Sequence, residues 1–268
     1  MNEPNMTKSG AAALSLSKVG ITFGNDEWVL KDVDLEVPEG QFFVLVGPSG
    51  CGKSTLLKLF AGTHAASQGE VRAQGRPVVA PGPDRAVVFQ GVDSPLMEWL
   101  TVRGNVEFAL KLSGVPRSKR PNIATEYLEK VGLLPAAKKY PDQLSGGMKQ
   151  RVQIARVLAV EPQTILMDEP FAALDAQSRR FLQRELVRLW SENRRTVLYI
   201  THDVREAVLL GQRIAVMTAP PQSGIKTVVD VPLPYPRDEF DSAFVDIMHE
   251  VDAAISEEVT KLWERGAV

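Results

Sequence analysis

The chain has 268 residues, 44% of them hydrophobic, and a single cysteine, so it suits one α/β domain with an inserted subdomain and excludes an intrachain disulfide. Its 31 lysines and arginines nearly balance 33 aspartates and glutamates, giving a formal net charge of −2 and excluding a global basic field for nucleic acid or an anionic membrane surface. Any anion must be captured by local structure.

Residues 1–13 are polar or small and are expected to be frayed; they lack the charged and then apolar pattern of a signal peptide. No run approaches the roughly eighteen apolar residues that a membrane span requires. The runs QFFVLVG, RAVVFQ, TILMDE and TVLYITHD each lead into a turn and a helical pattern, which predicts a mostly parallel sheet covered on both faces. Between Gly91 and Tyr140, LTVRGNVEFALKL and NIATEYLEKVGLL carry apolar residues three and four apart and predict a helical insert. VPLPYPRD (231–238) reads as an extended link. Beyond it, Phe240, Phe244, Ile247, Val251, Ile255, Val259 and Leu262 predict one apolar stripe on a helix, either packed back onto the domain or offered to a partner. The expected units are a first part of the core at 14–90, a helical subdomain at 91–150, a second part of the core at 151–230 and a C-terminal extension at 231–268.

Gly47-Pro48-Ser49-Gly50-Cys51-Gly52-Lys53-Ser54 fits G-x-x-x-x-G-K-[ST], a loop whose amides cradle phosphates at the start of a helix, with Thr55 next in line. Lys53 is expected to supply charge to the β- and γ-phosphates and Ser54 to ligate magnesium. Cys51 occupies an unspecified position, as a tolerated small residue or as a modifiable thiol.

Ligands of a parallel sheet gather at the carboxyl ends of its strands. Besides Lys53, three polar groups fall at such ends: Gln90 after AVVF, Asp168 and Glu169 closing TILMDE, and His202 after TVLYIT. Asp168 is expected to hold magnesium through water and Glu169 to act as general base toward an attacking water. Gln90 would touch the metal or that water, and His202 the γ-phosphate. This constellation predicts phosphoryl transfer to water, although a carboxylate pair also suits a kinase.

A second glycine loop, LSGGMKQR from Leu144, opens another helix; Ser145, Gly146 and Gly147 there form a second anion-binding terminus. A chain that already cradles its own phosphate has use for it if it covers the nucleotide of another copy, head to tail about a two-fold axis.

Taken in order, the phosphate loop, Gln90, LSGGM, ILMDEP, AALD (172–175) and His202 resemble the ATP-binding subunits of ABC transporters from Leu16 to about Arg237. The resemblance implies an α/β P-loop NTPase fold of RecA-like type, with antiparallel N-terminal strands and an inserted α-helical subdomain. It implies ATP and magnesium as ligands, Asp175 near the nucleotide, and adenine stacked on Phe23, with Trp28 as the alternative. It implies a homodimer or paired ATPase subunit working on separate transmembrane permease subunits, indirectly with a solute-binding protein and without nucleic acid, at the cytoplasmic face of the plasma membrane. Leu96, Met97, Trp99 and Leu100 are candidates for the permease contact or for burial within the insert. PGPDRAVVFQ (81–90) and VPLPYPRD look like the importers of nitrate, sulfonates and taurine. The competing readings are a soluble ABC-type ATPase uncoupled from transport, which would carry a long coiled-coil insertion or tandem cassettes, and a small-molecule kinase, which has no use for LSGGM.

Overall fold

A computed structural model describes residues 12–24, 27–89 and 96–264. In chain order the strands are β1 (Ala12–Thr22), β2 (Trp28–Pro38), β3 (Phe42–Val46), β4 (Gln68–Ala73), β5 (Arg76–Pro77), β6 (Arg85–Val88), β7 (Thr164–Asp168), β8 (Thr196–Ile200), β9 (Arg213–Met217) and β10 (Ile225–Asp230). The helices are α1 (Lys53–Ala61), α2 (Val102–Leu112), α3 (Arg120–Lys130), α4 (Gly146–Val160), α5 (Ala176–Asn193), α6 (Val204–Leu210) and α7 (Ser242–Glu264). Two sheets result: an antiparallel one in the order β2-β1-β4-β5, and a larger one in the order β10-β9-β3-β8-β7-β6, parallel except for β10.

The central strands β3, β7 and β8 are buried throughout because nearly every position in them is apolar, and the two-residue period of a strand sorts those residues between the two faces. Phe42, Val44 and Val46 of β3 join a core with the helical insert, while Phe43 and Leu45 face α1 and the antiparallel sheet. The same alternation splits Val197 and Tyr199 from Leu198 and Ile200 on β8. The central strands are thereby clamped, which fixes where their carboxyl ends lie.

The insert is α2 and α3 packed on α4; the boundary expected at residue 150 falls inside α4, a continuous helix. Ahead of α2 the buried Asn105 amide ties down a turn, accepting from Met97 N–H at 2.8 Å and donating to the carbonyls of Met97, Leu100 and Thr101 at 3.0–3.2 Å. That turn divides the four expected contact residues: Leu96 is buried in the core, Met97 and Leu100 are half-buried, and Trp99 is 73% exposed.

The C-terminal stripe packs back onto the domain through Phe244 and Val251, with Ile247 and Ile255 alongside. Phe240 is a correction: it precedes α7 and is 92% exposed. Its N–H is held by the Asp238 carboxylate and the N–H of Ala243 by that of Asp241, so the chain turns before the helix begins. The stripe also hides a charge. Glu258, seven residues after Val251, is buried, accepting from Ala219 N–H at 3.0 Å and pairing with Lys261 and Lys226. The start of the fold differs slightly too, since β1 includes Ala12 and Ala13 from the stretch expected to fray.

Candidate functional site

The strand order makes β3, β8, β7 and β6 consecutive parallel neighbours, so the segments leaving their carboxyl ends share one edge. Lys53 follows β3, His202 follows β8, and Asp168 and Glu169 close β7. Gln90, beyond the end of β6, lies outside the described residues.

The loop from Gly47 to Ser54 turns tightly into α1. Gly52 is its N-cap, at φ 89°, and a Cβ there would lie 2.7 Å from Leu30 Cδ2, so both the backbone angle and the space demand glycine. The caps of α2, α4, α5 and α6 are Thr101, Ser145, Asp175 and Asp203, each accepting a backbone N–H, whereas no side chain caps α1. The first amides of α1 therefore remain available to an anion, in the field of the helix's positive end. The Lys53 ammonium curls over the loop and donates to the carbonyls of Gly47 and Pro48, each at 2.8 Å. Beneath the loop the Lys53 ammonium also reaches Cys51 Sγ at 3.7 Å. The Cys51 thiol is fully buried, 4.0 Å from Met217 Sδ, and burial pushes its pKa up, so it is core and not a reactive sulfur.

Asp168 is the last residue of β7. Burial raises its carboxyl above the ordinary range, opposed by a hydrogen bond from the Ser54 hydroxyl and the charge of Lys53. The next residue leaves the strand in the left-handed region, with Glu169 at φ 43°, while its N–H still bonds Ile200 O at 3.0 Å on β8. This break in the pleat carries the Glu169 carboxylate across to the neighbouring strand end. Glu169 Oε1 lies 3.1 Å from Nδ1 of His202, whose side chain is 70% exposed. A largely sheltered carboxylate thus sits beside an open imidazole, at the same edge as the lysine loop.

The second glycine loop lies apart. Ser145 caps α4 through its hydroxyl, accepting from Met148 N–H at 3.3 Å. A Cβ on Gly147 would meet Leu174 Cδ2 at 3.2 Å and Ala173 O at 3.3 Å, so LSGGM packs against AALD of its own chain. Asp175 of that segment caps α5, accepting from Ser178 N–H, and this bond holds its carboxyl below the ordinary range. Phe23 is 52% exposed with its ring edge on His64, centroids 5.7 Å apart, while Trp28 is half-buried against Gly20.

The sequence model for "ABC transporter" matches residues 30–172, just over half of the chain and including both glycine loops and the β7 acids. The chain belongs to the ABC transporter ATP-binding family. The chain is 46% identical over 211 residues to the nitrate import ATP-binding protein NrtD of Synechococcus elongatus, covering 78% of this chain and 76% of the relative. It is 44% identical over 226 residues to the bicarbonate transport ATP-binding protein CmpD of the same organism, covering 84% and 81%. Among solved structures, the dimeric structure of MJ0796, a bacterial ABC transporter cassette, superposes with a TM-score of 0.73 at 31% identity, covering 82% of this chain and all of that one.

This ABC ATPase therefore binds and hydrolyses ATP. Among the described residues no cluster of three or more His, Cys, Asp or Glu forms a metal cage. The hard oxygens of Ser54 and Asp168, hydrogen-bonded to each other, do suit magnesium, which favours one or two protein oxygens plus phosphate and water. The residues present fit that ion. Sequence reasoning missed two supports of the site. Leu30 beneath Gly52 reads as an ordinary core residue, and His64 beside Phe23 follows α1 without any motif to mark it.

Proposed function

We propose that this ABC ATPase is the energy-coupling subunit of an importer for a small anion, of the kind that nitrate, sulfonate or bicarbonate represents. The relatives' names support the solute class, and the sequences at 81–90 and 231–238 support the same subfamily. The chemistry rests on one observation, the carboxylate of Glu169 held against His202 at the strand edge that carries Lys53. Glu169 takes a proton from water as the water oxygen bonds to the γ-phosphorus. The bond from that phosphorus to the bridging oxygen breaks, leaving ADP and phosphate. His202 orients the carboxylate through Nδ1 and offers its exposed ring to the γ-phosphate. The α1 amides and Lys53 hold the β- and γ-phosphates. Ser54, and Asp168 through water, would hold magnesium, which when bound would neutralise charge on the phosphate oxygens; Gln90, expected at the metal or the attacking water, lies outside the described residues. The adenine stacks on Phe23, whose face is open where Trp28 is packed.

The amides of Gly146 and Gly147 and the Ser145 hydroxyl cover a nucleotide held by a second subunit, with Asp175 close by at the interface. Closure of the pair drives separate permease subunits at the cytoplasmic membrane face, gripped through Trp99 on the turn fixed by Asn105. No described helix is long and apolar enough to cross a membrane, consistent with pore-forming chains being separate. The proposal is tested by reconstituting the chain in proteoliposomes with its permease and solute-binding protein. ATP-dependent uptake of labelled nitrate, bicarbonate or an alkyl sulfonate is the expected result. Rapid ATP hydrolysis that neither depends on the permease nor moves any of the three solutes would refute it.

A further inference from the structure

Between α5, α6 and the link at 235–240 opens a cavity of about 590 Å³. Its size falls within the range of about 300–1,000 Å³ typical of small-molecule sites. Val187 and Leu209 supply apolar wall, Tyr235 and Pro236 close one side, and the exposed Phe240 stands at the rim.

Its charge is unbalanced. Five arginines line it, Arg180, Arg184, Arg188, Arg205 and Arg237, against Asp238 and Glu239. Three of the five are accounted for. Arg188 pairs with Glu185 and Glu192, Arg205 pairs with Glu239, and Arg237 donates to the carbonyls of Val208 and Gly211 while lying over the Tyr235 ring. Asp238 is engaged by the N–H of Phe240. Arg180 and Arg184 stand one helical turn apart, and neither forms an ion pair or side-chain hydrogen bond among the described residues. Like charges at that spacing disfavour the helix, and a pair of guanidinium forks facing a cavity presents ten N–H donors to an oxyanion.

We propose that this cavity binds an organic anion whose carboxylate, sulfonate or phosphate head meets Arg180 and Arg184 and whose apolar body lies along Val187, Leu209 and Phe240. The site is separate from the nucleotide site, since none of its lining residues belongs to the phosphate loop, to Asp168 and Glu169 or to His202. Charge complementarity selects an anion, and the apolar wall selects one with hydrocarbon attached over a bare inorganic ion.

The probe is anilinonaphthalene sulfonate, titrated by fluorescence and calorimetry into the full chain saturated with ADP, so that the nucleotide site is filled. Saturable binding of one probe per chain is expected, weakened tenfold or more by R180S/R184S and unchanged by R76S on the distant β5. Phe240→Asp, on the exposed link where folding is not at stake, should weaken binding to a similar degree. Binding that survives both the double variant and Phe240→Asp, or that ADP displaces in proportion to its own occupancy, would overturn the assignment. Absence of saturable binding to the wild-type chain would do the same.

Discussion

Glu169→Gln separates chemistry from nucleotide binding. The substitution keeps the size of the side chain and a hydrogen-bonding oxygen toward His202 Nδ1, 3.1 Å away in the wild type, but removes the capacity to accept a proton from water. Loss of a general base costs about 10²–10⁴ in rate, or roughly 2.7–5.4 kcal/mol of barrier at 1.36 kcal/mol per tenfold. Folding should be unaffected, because the Glu169 N–H to Ile200 O bond belongs to the backbone and φ 43° is no worse for glutamine than for glutamate. ATP affinity should also persist, since Lys53 and the α1 amides are untouched. Phosphate release under saturating ATP measures the rate, and size-exclusion chromatography with ATP follows the oligomeric state. The expected outcome is turnover reduced at least a hundredfold with ATP retained in a dimer. A variant that turns over within tenfold of wild type would remove Glu169 from the role of base, and one that stays monomeric with ATP bound would remove the shared site.

Four further outcomes follow from the same geometry. Lys53→Ala removes the ammonium that curls over the loop and should weaken ATP binding about ten- to hundredfold, the worth of a charge-assisted phosphate contact, read by titration with a fluorescent ATP analogue. In heterodimers, Ser145→Ala paired with Glu169→Gln should keep one intact shared site and turn over faster than both changes in one chain paired with wild type; the reverse order of rates would place Ser145 outside its neighbour's site. Glu258→Ala strips a partner from the buried Ala219 N–H and should cost about 1–3 kcal/mol in urea denaturation. Burial raises the Glu206 carboxyl above its ordinary 4.5, despite hydrogen bonds from Thr201 and Gln183, so its contribution to stability is full below pH 4.5 and is lost as pH rises through the elevated value. Glu206→Gln, which keeps an oxygen for Gln183, should flatten that part of the stability profile relative to wild type, as followed by thermal melts from pH 4 to 8.

The candidate edge was legible because β3, β7 and β8 are five-residue runs buried on both faces, β3 leading into the lysine loop and β7 and β8 ending on or next to a polar residue. What the runs do not encode is their order. Parallel neighbours are joined by long crossovers, so the adjacency of β3 to β8 depends on tertiary packing of segments some 150 residues apart. The antiparallel sheet was obscured locally. Register shifts in β1 and left-handed residues at Lys18 and Asp32 break the two-residue period that a sequence reading needs. Glu258 was hidden for a different reason. Its spacing from Phe244 and Val251 marks the buried face of α7, but a carboxylate is tolerated there only because Ala219 and Lys226, far back in the chain, reach it. Burial works to raise its carboxyl, yet the hydrogen bonds from Lys261, Ala219 and Lys226 outweigh that and hold it below the ordinary value. Phe240 failed in the opposite sense, an apolar residue in phase with a stripe that begins only after it.

Two unfavourable features of the fold lie where the chemistry is proposed. Asp168 keeps a carboxylate in a buried setting that favours its neutral form, and Glu169 holds a left-handed backbone that costs a non-glycine residue about 1–2 kcal/mol. A glycine at 169 would relax the backbone but carry no carboxylate, and an extended residue would direct its carboxylate to a face of the sheet instead of across to His202. The strain is sustained because β7 is paired on both edges, with β6 and β8, and sealed on both faces, so the turn at Glu169 cannot relax without disturbing the centre of the sheet. The same rigidity explains how Asp168 and Glu169 are set two strands away from the lysine loop, with His202 beyond the strand between them. Each strand end is fixed by its core, and the active geometry is the position at which those independent constraints meet.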